Sequence, residues 1–94
     1  MKKEELFNEW VGISIEINNN STKLGVLNEQ RQALIDEVNK KGKITPEIQE
    51  KINDVLTEFK ILEFQTEDLK QKSNLLNYEL LQLSMEEQIK EVQN

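Results

Sequence analysis

The sequence predicts an all-α protein: an antiparallel two-helix hairpin of the coiled-coil kind, completed to a bundle of three or four helices by self-association or a partner. Three observations lead there. A seven-residue apolar rhythm runs through both halves of the chain, helix stop and start signals meet in one short stretch between them, and only three Gly and one Pro interrupt a composition rich in helix formers. With 94 residues, one Trp, one Tyr and three Phe, the chain is expected to form a single domain over 1–94 with a thin apolar seam in place of a globular core.

The first helix is expected over about 4–41. Its hardest stretch is WVGISIEINNN, residues 10–20, where alternation would put Ile13, Ile15 and Ile17 on one side of a strand. Steps of three and four fit more residues: Leu6, Ile13, Asn20, Leu27 and Leu34 fall at heptad position d, and Trp10, Ile17, Leu24, Arg31 and Val38 at a. A strand would also need a partner strand that the rest of the chain does not offer. The weak helix formers of INNNST, around Asn18–Thr22, are the one place where a break would be expected.

A turn is expected over 42–45. Lys40 and Lys41 suit the negative end of the first helix, Gly42 a left-handed C′ position, Thr45 an N-cap, Pro46 the first helical position and Glu47 the positive end of the next helix. The second helix, about 46–92, carries Ile48, Val55, Leu62, Leu69, Leu76 and Leu83 at d and Ile52, Phe59, Thr66, Ser73, Leu80 and Glu87 at a. So short a link makes the helices antiparallel, with facing residue numbers adding to about 86. Leu34 then meets Ile52, Leu27 meets Phe59, Trp10 meets Leu76 and Leu6 meets Leu80. Asn20 falls opposite Thr66, a polar layer whose expected role is to set register. Arg31 is expected to lay its stem on the seam and reach Asp54 or Glu58. The second helix should overrun the first by roughly a dozen residues, leaving Leu83, Ile89 and Val92 without a partner in the chain.

Opposite its seam the second helix should be polar, yet Ile61, Phe64, Leu75, Tyr78, Met85 and Ile89 stand there at c and f, interrupted by Asp68 and Gln71. The first helix shows a similar excess at Phe7, Val11 and Ile15. Antiparallel pairing gathers both excesses at the open end of the hairpin, as a candidate partner-binding surface.

No Cys and no His are present, which removes disulfides, thiol chemistry, zinc ribbons and the commonest metal ligand and proton shuttle. Carboxylate pairs such as Glu63 with Glu67 read as a solvated face and not as a metal site, because inward-facing Glu with His is the usual di-metal set. No Gly-rich phosphate loop or Ser-based triad is available, so no catalytic residue and no cofactor are expected, and the chain is not expected to be an enzyme. A net charge of −6 opposes direct nucleic-acid binding and, with Glu on the polar faces, membrane-surface binding. No apolar run has signal-peptide or membrane-span length, so a cytoplasmic location is expected, with signal-independent export as the other route. Eleven Lys against one Arg suggests an AT-rich bacterial or phage genome.

WVG at 10–12 and FQTED at 64–68 resemble the W-x-G motif and the aromatic-x-x-x-acid export signal of the small helical-hairpin substrates and accessory proteins of Gram-positive type VII secretion. In that family the first motif lies in the interhelical turn and the second near the C-terminal tail, whereas here both fall within helices. The resemblance implies an adaptor that pairs with a helical partner and guides its export.

The expected function is thus a small, acidic, non-enzymatic adaptor or chaperone-like protein acting through protein–protein contact as a homodimer or in a heteromeric helical bundle. Two alternatives remain: a phage-borne regulator or inhibitor that uses its acidic surface against a nucleic-acid-binding or defence protein, and a structural scaffold whose hairpins assemble further.

Overall fold

The computed structural model describes residues 2–93, with the side chain of the last of these left out of the description. It is an all-α antiparallel hairpin: α1 spans Lys2–Lys41 and α2 spans Pro46–Gln93. α1 runs unbroken through Asn18–Thr22. Within Trp10–Asn20, Ile13 and Ile17 are half-buried while Ile15 is exposed, the pattern of a helix face and not of a strand. Three side-chain hydroxyls bond back to the preceding turn of their own helix. Ser14 Oγ donates to the Trp10 carbonyl at 2.9 Å, Thr57 Oγ1 to Asn53 at 2.8 Å and Thr66 Oγ1 to Leu62 at 2.7 Å.

The turn is built as its residues dictate. Gly42 has φ +72°, and its N–H donates to the Val38 carbonyl at 2.8 Å, closing α1 with a left-handed cap. Thr45 Oγ1 accepts the Ile48 N–H at 3.2 Å, and the Thr45 carbonyl accepts the Gln49 N–H at 3.0 Å, which starts α2 with Pro46 in its first position. Acidic residues precede Lys by four at three exposed pairs, Glu37–Lys41, Glu47–Lys51 and Asp68–Lys72, an order that favours the helix by a few tenths of a kcal/mol at most.

The chain divides into two compact units. The turn unit is Asn19–Thr66. The terminal unit joins the segment ending at Asn18 to the one beginning at Glu67. In the turn unit the seam closes: Leu27 and Ile48 are buried, as are Asn20 and Thr66, and the remaining a and d residues of this unit are half-buried except Arg31. Arg31 is exposed and, among the described residues, forms no ion pair with Asp54 or Glu58, contrary to the sequence expectation. A guanidinium keeps more hydration pointing outward than lying along an apolar seam.

In the terminal unit no described residue is buried. Leu6, Trp10, Ile13, Ile17, Leu69, Ser73, Leu76, Leu80 and Leu83 are all only half-covered. Lys3 Nζ pairs with Glu87 Oε2 across the helices at 2.9 Å, both side chains remaining largely exposed. Leu83 is half-buried and lines a groove with Phe7 and Leu80, so it does have neighbours within the chain, contrary to expectation. The reason is that α1 begins at Lys2, earlier than expected, so that the residue facing Leu83 under a sum of about 86 is Lys3, inside the helix. Ile89 and Val92 stay 54% and 86% exposed.

Glycine substitutions should separate these roles. Gly12 and Gly25 sit in α1 with nothing within 4 Å of an added Cβ, whereas Gly42 holds a positive φ. Gly12→Ala or Gly25→Ala is expected to raise stability by roughly 0.5–1 kcal/mol, and Gly42→Ala to lower it by about 1 kcal/mol, as read from urea unfolding midpoints.

Candidate contact surface

On the outer side of α2 in the terminal unit, Leu75, Tyr78, Met85, Ile89 and Val92 recur in steps of three and four, with Gln82 completing the row. At about 100° per residue this row lies on the face of α2 roughly opposite its seam. The five apolar side chains are between 54% and 86% exposed, and Leu81 at 59% widens the row on one edge. Glu79 and Glu86 border the other edge, each four residues beyond a member of the row. Such a stripe is a second seam without a second helix.

The other predicted contact residues are distributed as follows. Phe7 is 51% exposed and its ring lies 6.1 Å from that of Trp10, tilted by 33°. It opens onto the groove with Leu80 and Leu83, bounded by Lys3, Glu4 and Glu87. Val11 is half-buried and Ile15 is 56% exposed. Met85, Ile89 and Val92 shape a separate shallow hollow with Gln88 on α2 alone. The groove at Phe7 and this hollow share no residue.

Ile61 and Phe64 belong to the turn unit. Phe64 is 79% exposed. Ile61, 55% exposed, lies with Val26, Leu27 and Leu62 in a largely apolar groove edged by Thr22, Lys23, Glu58 and Gln65. Val26, 49% exposed, is a member that the sequence reading overlooks, although it sits at c of α1 as Ile61 does on α2. The signal was present: Val26 precedes Leu27 as Ile61 precedes Leu62, and antiparallel pairing brings those two residues to one side.

The comparisons with known proteins give no relative. No family model, curated protein sequence or solved structure matches the chain. The chemistry of the surface must therefore be read from its own residues.

Among the described residues no group of three or more Asp or Glu could hold a metal ion, and no helix is long and apolar enough to cross a membrane. The carboxylates are dispersed along exposed helix faces and paired at most singly with Lys. WVG lies inside α1 with Gly12 exposed, and Phe64 and Asp68 lie inside α2.

The polar layer of the turn unit is closed to solvent, Asn20 at 9% and Thr66 at 3% exposure. The Thr66 hydroxyl donates within its own helix, and no buried side-chain polar atom among the described residues lacks a partner. Converting the layer with Asn20→Leu and Thr66→Val together is expected to raise the urea midpoint, since apolar groups replace a desolvated amide and hydroxyl. The same change should cost uniqueness, seen as extra or broadened amide resonances from alternative registers.

Proposed function

We propose that the chain is a non-enzymatic interaction module, an adaptor that binds a helix through the outer face of residues 75–92 of α2. One observation carries this reading: the terminal unit has no buried residue among those described, yet it exposes a heptad-spaced row of Leu75, Tyr78, Met85, Ile89 and Val92. A row with that spacing fits the side of another helix, because two helices pack by placing such rows into each other's gaps. Exposed apolar side chains scattered singly are ordinary, but a continuous row with one polar member is not. An additional helix on α2 would complete a three-helix arrangement and supply the burial that the terminal unit lacks. Acyl-transfer and thiol chemistry find no support in a chain without His or Cys.

A photo-crosslinking residue placed at 78 tests the reading in cells that make the protein. An adduct, to a second copy or to another protein, is expected at 78 and not at the exposed polar position Lys60, and it should vanish when Met85→Glu and Ile89→Glu are added. Far-ultraviolet circular dichroism of that variant should remain helical, since both side chains already face solvent. Equal labelling at 78 and 60 would refute the proposal.

A further inference from the structure

Charge along the same face says what kind of helix it takes. We propose that its occupant is a basic amphipathic helix of another protein and not a second copy of this chain, an inference that rests on the reading of residues 75–92 as a contact surface. The terminal unit carries ten acidic and five basic residues, a net −5, whereas Asn19–Thr66 carries eight acidic and seven basic, a net −1. Negative charge is therefore concentrated in the unit that bears the apolar row.

The carboxylates nearest the row are also unspent. Asp68 is paired with Lys72 and Glu87 with Lys3, but among the described residues Glu79 and Glu86 have no ion pair. These two flank Leu75, Gln82 and Ile89, where a docked helix would present its own flanking side chains.

A second copy answers them badly in either direction. If two α2 rows met antiparallel, with Leu75 beside Ile89 and Tyr78 beside Met85, the flanking rows would set Glu79 of one copy against Glu86 of the other, twice. If they met parallel, Glu79 and Glu86 would face the row of Asn74, Leu81 and Gln88. No carboxylate meets a cation in either arrangement, and like charges in contact oppose association. A helix with Leu or Ile at its seam positions and Lys or Arg beside them satisfies both the apolar row and the two carboxylates. Charges in direct contact across two packed helices would lie within a Debye length of about 8 Å at physiological salt, so the selection acts under ordinary conditions.

The test uses the full chain and three labelled synthetic peptides of four heptads. One has Leu at the seam positions and Lys at the flanks, one has Leu with Glu at the flanks, and one has the Leu and Lys composition scrambled to remove the heptad. Fluorescence anisotropy should show the Leu–Lys peptide binding at least tenfold tighter than either other peptide, and weaker in 500 mM than in 50 mM salt. Glu79→Gln and Glu86→Gln should each weaken it about two- to fivefold, the size of a solvent-exposed pair. Tyr78→Glu with Met85→Glu should abolish it.

Equal binding of the Leu–Glu peptide overturns the charge argument and leaves the contact surface standing. Equal binding of the scrambled peptide overturns the inference, since net charge alone would explain the affinity. A dimer in sedimentation at micromolar concentration, dissociated by Tyr78→Glu with Met85→Glu and indifferent to the peptides, makes the second copy the occupant and overturns the inference alone. A monomer that binds none of the three peptides overturns the inference, and the crosslink at 78 then decides the contact surface independently.

Discussion

The antiparallel seam is the constraint on which everything else depends. Two helices closed by a four-residue turn at 42–45 have one face each to offer the other, and the residues on those faces are fixed once Gly42 and Thr45 set where each helix ends and begins. Two faces cannot enclose a side chain as a bundle of three or four can. Most seam residues are accordingly half-covered, and among the described residues Asn20, Leu27, Ile48 and Thr66 alone are buried. The energetic consequence is general: a small chain with one thin seam gains little over the conformational entropy it must give up, and contact with an outside surface adds what is missing.

The two units meet that constraint differently. Asn19–Thr66 holds the four residues that are buried among those described, the polar layer included, with charge nearly balanced. The terminal unit has no buried residue among those described, carries most of the net charge, and turns a second apolar row away from its seam. Burial and charge thus divide along the same line in the chain, and the Leu75–Val92 row lies on the side with most of the charge, although Ile61 and Phe64 are exposed in the turn unit. In the proposed reading, Asn19–Thr66 maintains the hairpin and the rest of the chain offers α2 to a partner. Lys3–Glu87, exposed at both ends, contributes little to holding the terminal unit together.

Much of this was legible in the sequence because it follows from short-range chemistry. Helix ends were marked by Gly42, Thr45 and Pro46, and the seam by periodicity strong enough to carry Asn18–Thr22 through as helix. Arg31 was misread because a heptad count assigns a position without asking whether a charged group prefers it. Leu83 was misread because the overrun was counted from a later start of α1 than Lys2. Val26 escaped because the groove it lines arises from two helices at once, and a face analysis of α1 alone contains no such information. The exposed row on α2 could be listed from the sequence. That its Leu75–Val92 part belongs to the unit without buried residues could not.

Amide hydrogen exchange on the isolated chain, at a concentration low enough to keep it monomeric, tests the central claim most directly. If the terminal unit is incompletely packed by itself, amides at 69–83 should exchange at least tenfold faster than those at 48–66, although both lie in one continuous helix. Uniform protection along α2 would contradict the account, because the exposed row would then border a unit that needs no partner to be stable.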